Sequence, residues 1–146
     1  MKRLSDYKRG IETEDDLVRR LLHAWHPGPR DRPIPTQLAA LRDWLARHLP
    51  EVPIGDAPTA GGLTLQDEHL IELVAGFTKA MVAEFSQCLD QLRFYRENWI
   101  DRDNRRVWLV VLGPSTGEFS RLLGERIAEL NSHFVLAAPY ELIEKR

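Results

Sequence analysis

Gly113-Pro114-Ser115-Thr116-Gly117 is the stretch whose residue types and spacing most directly suggest chemistry. It matches G-x-S-x-G and lies between a β-branched apolar run and an amphipathic one. In that setting a tight strand-to-helix turn exposes a serine hydroxyl beside free backbone N–H groups. Ser115 would be the nucleophile and His133 the downstream base of a serine hydrolase. No aspartate follows Ser115, so Glu118, Glu125, Glu129, Glu141 or Glu144 would have to orient that base. A chain of 146 residues is also short for the many-stranded sheet that usually carries such an elbow.

The same loop has two other readings. Backbone N–H groups of Gly113, Ser115, Thr116 and Gly117 at a helix start could cradle a phosphate or a nucleotide-type ligand. The loop lacks the Lys-Ser/Thr of a Walker A sequence and the G-x-G-x-x-G of a dinucleotide site. The reading that explains every residue without a ligand is a capping box. Ser115 and Glu118 would satisfy each other's backbone donors, and Gly113-Pro114 would turn the chain.

Arg93, Arg96, Arg102, Arg105 and Arg106 lie among Phe94, Tyr95, Trp99 and Trp108, a mixture of charge and stacking surface that suits single-stranded nucleic acid. Glu97, Asp101 and Asp103 interrupt it, so a solvated, salt-bridged helix end is the expectation and nucleic acid the alternative. His23 with His26, and Asp101 with Asp103, come nearest to metal-ligand spacing. Neither pair has a recognisable third ligand, so no metal and no cofactor are expected. Cys88 falls within an apolar stripe and reads as a small core residue; as the single cysteine it excludes an intrachain disulfide.

These residues must be positioned by helices first and strands later. Thr13 precedes Glu14-Asp15-Asp16, a cap followed by acids that suit the helix dipole, and Leu17, Val18, Leu21, Leu22 and Trp25 then share one face. Thr36 reads as the next cap, before a stripe of Leu38, Leu41, Leu45 and Leu49. Pro50 to Leu63 reads as a long surface loop. From Thr64 onward Leu70, Val74, Phe77, Met81, Phe85, Cys88, Leu92, Tyr95 and Trp99 step by three and four, which predicts one long helix. Val107 to Leu112 is apolar on both faces and predicts a buried strand. A helix with Phe119, Leu122, Leu123, Ile127 and Leu130 inward follows, then a second strand.

The expected fold is therefore α+β. Its helical N-terminal two-thirds holds three helices at about 14–26, 37–49 and 65–99, the third long. A C-terminal β-α-β unit follows, with a strand at about 107–112, a helix at 117–130 and a strand at 133–138 in a small parallel sheet. Residues 1–10, with Lys2, Arg3, Lys8 and Arg9 against Asp6, read as a basic flexible arm, and 11–146 as a single domain. Two strands are too few for a comfortable sheet. Either a further strand hides in the N-terminal arm or the C-terminal tail, or the edge pairs with another chain.

Composition sets the remaining bounds. Hydrophobic residues make up 43% and charged residues 29%, with a net charge of -2, so no global field draws the chain to nucleic acid or to an anionic membrane. No secretory signal follows Met1-Lys2-Arg3, and no run of roughly 18 apolar residues could span a bilayer; the expectation is a cytoplasmic protein without a membrane partner. Arginine in excess over lysine fits a bacterial genome rich in G and C. With no complete catalytic set, the expected function is a non-catalytic interaction subunit, adaptor or accessory factor of a bacterial assembly. Its partner would be another protein chain, either a second copy in a homodimer or a different subunit.

Overall fold

Thr13 starts the first helix through a reciprocal cap: the Asp16 N–H donates to Thr13 Oγ1 at 3.1 Å, and the Thr13 N–H donates to Asp16 Oδ2 at 3.0 Å. In the computed structural model, residues 2–25, 33–57, 61–74, 106–112 and 135–137 are described, together with positions 87, 90, 94 and 121. Helix α1 spans Glu14–Ala24 and buries Leu17, Val18, Leu21 and Leu22. Helix α2 spans Ile34–His48, with Leu41 and Leu45 fully buried. It begins at Pro33 rather than at Thr36, because Pro35 in the first turn needs no N–H partner and the Thr36 N–H already bonds Pro33 O. The Trp44 indole N–H donates to Leu21 O at 3.3 Å and ties α2 to α1.

Part of the segment read as a loop, and the start of the one read as a long helix, are strands. Strand β1 is Ile54–Asp56, β2 is Gly62–Leu65, β3 is His69–Val74, β4 is Arg106–Val111 and β5 is Val135–Ala137, in the spatial order β1-β2-β3-β4-β5. The first three form an antiparallel meander; β4 is parallel to β3, and β5 is parallel to β4. This overturns the expected three-helix N-terminal region with its long third helix at 65–99. Leu65 closes β2, and His69–Val74 is a central strand. Beyond β3, the described positions Gln87, Asp90 and Phe94 are helical, as is Arg121 between β4 and β5.

The difference has a physical cause. On one sheet face Leu63, Leu65, Ile71, Leu73, Trp108, Val110 and Leu112 join α1 and α2 in the core. On the other face Leu70, Val74, Val107 and Leu109 are buried as well. A strand buried on both faces shows apolar residues at many spacings, and Leu70 with Val74 mimics a helical i, i+4 pair. The sheet also supplies the missing neighbours. They came from neither terminus but from residues 54–74, so β4 is flanked on both sides within the chain.

The arm expected over residues 1–10 is instead tied down. Leu4–Tyr7 forms a 3-10 turn whose Leu4 is fully buried in the core. The Tyr7 hydroxyl donates to Pro50 O, and the Lys2 N–H donates to Glu51 O at 3.1 Å.

Candidate functional site

At the end of the sheet where β3 and β4 begin, register sets His69 opposite Arg106. The β2–β3 turn delivers Gln66 and Glu68 to the same end, the N-terminus of α1 delivers Glu14 and Asp15, and Arg3 approaches ahead of the 3-10 turn. The polar cluster is therefore assembled from segments that share no local sequence motif. The sequence singles out Arg106 and Trp108 for nucleic acid, Glu14 and Asp15 for a helix cap and Arg3 for an arm, and nothing in it draws them together.

Gln66 holds the cluster together. Its Oε1 accepts the Leu4 backbone N–H at 2.8 Å, and its Nε2 donates to Glu14 Oε1 at 2.8 Å and to Glu68 Oε2 at 3.0 Å. Its own N–H donates to Pro53 O at 2.9 Å. Gln66 and Asp67 have φ of 39° and 57°, the left-handed region that mirror-type hairpin turns require and that a glutamine rarely adopts. The conformation persists because four hydrogen bonds from one residue over-determine it. Glu68 is further paired with Arg3, and Arg106 Nε meets Asp15 Oδ2 at 3.1 Å.

His69 and Trp108 form the buried part. The Trp108 indole N–H donates to His69 Nδ1 at 3.0 Å, and both residues are buried. The Arg19 guanidinium lies 5.4 Å from the centre of the Trp108 ring. Burial pushes His69 below its ordinary pKa of 6.5, and Arg106 adds to this; Asp15, Glu14 and Glu68 pull in the opposite direction.

One ring nitrogen of His69 and one oxygen each from Glu14 and Glu68 lie within 4.8 Å of one another, a donor set of the kind that binds cations. The hydrogen bonds argue against that use. Trp108 occupies the Nδ1 lone pair, so the neutral ring carries its proton on Nε2 and offers no free nitrogen. A cation would also have to displace Gln66 from both carboxylates and Arg3 from Glu68. The arrangement is a self-satisfied lock joining the N-terminal turn, α1 and the sheet.

Of the residues singled out in the sequence, Arg106 opens β4 and is about half exposed, its guanidinium on Asp15. His23 is exposed near the end of α1. Gly113, Ser115, Thr116, Gly117, His133, Arg93, Arg96, Arg102, Arg105, His26, Cys88, Asp101 and Asp103 lie outside the described residues. The Gly113–Gly117 loop follows the far end of β4. The paired run from His69–Arg106 to Val74–Val111 puts the Val111 end of β4 roughly 16 Å from the polar cluster.

Signals for the cluster were faint. Gln66-Asp67-Glu68 carries no Gly, Asn or Pro to mark a turn, and a lone His-Trp pair 39 positions apart has no spacing rule. Among the described residues, no helix is long and apolar enough to cross a membrane. Compared with protein-family models, curated proteins and solved structures, the chain matches none.

Proposed function

We propose that this chain is a non-catalytic interaction protein, a small subunit or adaptor of a bacterial assembly, that meets another protein chain through its Arg9–Glu12 turn. The observation that carries this reading is Ile11, a large aliphatic side chain left fully exposed at the tip of a braced turn.

The bracing is specific. The Glu12 N–H donates to Arg9 O at 3.0 Å, and Gly10 supplies a φ of 55° at the first central position, the type II′ pattern. The Arg9 N–H donates to Glu12 Oε1 at 3.0 Å. Arg20 grips the same carboxylate with two bonds, at 2.9 and 3.1 Å. Those Arg20 bonds, with the Arg9 N–H, hold Glu12 below its ordinary pKa.

An isolated exposed Ile is common on protein surfaces. An Ile fixed in place by a chelated turn is pre-organised, so little ordering entropy opposes its insertion into a partner. Full burial of such a side chain stabilises a complex by about 1.5–3 kcal/mol. Lys8 and Arg9 are exposed beside it, so the complementary pocket is apolar with an acidic rim.

The test is a photo-crosslinking residue placed at Ile11 in the full chain, in the cells that produce it, with the same residue at exposed Asp56 of β1 as control. A discrete adduct from position 11 that position 56 does not form supports the reading. Its mass separates a second copy of this chain from a different subunit. No adduct, or the same smear from both positions, overturns it.

A further inference from the structure

We propose that His69 and Trp108, bonded to each other across β3 and β4, form an acid-sensitive latch: when His69 takes up a proton this bond breaks, and the ring is drawn to the carboxylates through which Gln66 and Arg3 tie α1 and the N-terminal turn to the sheet. A buried indole N–H needs an acceptor, and here that acceptor is the Nδ1 lone pair of a neutral imidazole, 3.0 Å away. An imidazolium has no lone pair, since both ring nitrogens are donors. Protonation of His69 and the Trp108 bond are therefore mutually exclusive. Two N–H groups would face one another in a space from which water is excluded.

The charged groups around the ring give the protonated state somewhere to go. From α1, Glu14 and Asp15 face the cluster, and Arg19 stands over the indole. From the β2–β3 turn comes Glu68, paired with Arg3. From β4 comes Arg106, on Asp15. Carboxylate oxygens of Glu14 and Glu68 already lie within 4.8 Å of a ring nitrogen. A charged His69 turns toward these acids and competes with Gln66 and Arg3 for them. That weakens the bonds by which Gln66 holds Glu14 of α1 and by which Arg3, ahead of the N-terminal turn, holds Glu68. The element thus has two arrangements: a neutral ring bonded to Trp108, or a charged ring drawn to the carboxylates.

The sign follows from burial, the first cause of the lowered pKa of His69. The unfolded chain takes up this proton more readily than the native one. The latch therefore stabilises fully above about pH 6.5 and is lost as pH falls through the native pKa.

The test is an NMR titration of the whole chain labelled with nitrogen-15, following the Trp108 indole N–H and the His69 ring together. The expected result is a protected indole signal at neutral pH that shifts and begins to exchange with the same midpoint at which His69 titrates. Trp108→Phe removes the donor and is expected to shift the His69 pKa upward. Should that variant not fold, His69→Gln serves instead. It keeps an acceptor for Trp108 without a titrating ring and is expected to flatten the loss of stability just below pH 6.5. An indole signal indifferent to His69 titration overturns the latch, as does an unshifted pKa in folded Trp108→Phe or an unchanged pH profile in His69→Gln.

Discussion

The backbone N–H of Leu4 donates to the side-chain oxygen of Gln66 across 2.8 Å, joining residues 62 positions apart at a buried point. That bond seats the N-terminal turn, while the other end of the same amide holds Glu14 of α1 and Glu68 of the hairpin. One side chain thus settles how the helical layer meets the sheet.

Gln66→Leu puts an apolar side chain of similar size in place of the amide and removes every side-chain bond, leaving the buried Leu4 N–H without its acceptor. The expected loss is about 2–4 kcal/mol in urea denaturation. Gln66→Gly relieves the left-handed backbone, worth roughly 1–2 kcal/mol, but surrenders the same bonds, so it is also expected to destabilise. A stabilised glycine variant would mean that the side-chain network is not what holds the turn.

Much of the helical layer was legible beforehand, and the reason is local. The Thr13–Asp16 box lies within one turn, and the Leu17, Val18, Leu21 and Leu22 face has a single burial direction. The first helix, expected at about 14–26, is Glu14–Ala24; the second, expected at 37–49, is Ile34–His48. Strands expected at 107–112 and 133–138 are Arg106–Val111 and Val135–Ala137, in parallel pairing. Strands β1 to β3 were not legible, because Gly55, Gly61 and Gly62 read as loop and the two-faced burial of β3 imitates a helix. A shortage of sheet neighbours could be deduced, but not that residues 54–74 supply them. The polar cluster was illegible for a related reason, since it exists only once the His69–Arg106 register is set.

Gly55 lies opposite Thr64, and a methyl group there would come within 2.8 Å of Thr64 Oγ1. Gly55→Ala is expected to cost about 1–3 kcal/mol by overpacking. Adding Thr64→Ala should recover part of that cost, and a double-mutant cycle on thermal unfolding measures the coupling. Purely additive effects would show that the cross-strand approach is not the constraint.

At Gly10, by contrast, nothing lies within 4 Å of an added methyl, so only the left-handed backbone resists substitution. Gly10→Ala is expected to destabilise by about 1 kcal/mol or less and to loosen the Ile11 turn. Chemical denaturation should register the first effect, and weaker crosslinking from position 11 the second.

Stability should fall in two separate steps on acidification. The first begins below about pH 6.5, as His69 protonates against the lowered native pKa. The second belongs to Glu12 and Asp16, whose partners hold them below their ordinary values of 4.5 and 3.8; their contribution is complete above those values and lost as pH falls through the lowered ones. Equilibrium unfolding across this range should show His69→Gln abolishing only the upper step and Thr13→Ala shrinking the lower one.

Ile11→Asp, compared with the native chain for recovery of the partner captured at position 11, probes the interaction most directly. The Ile11 side chain touches no part of the core, so the melting temperature is predicted to stay unchanged while the affinity for the partner falls by about 10–150-fold. Equal affinity in a variant of equal stability would contradict the assignment of this turn as the contact surface.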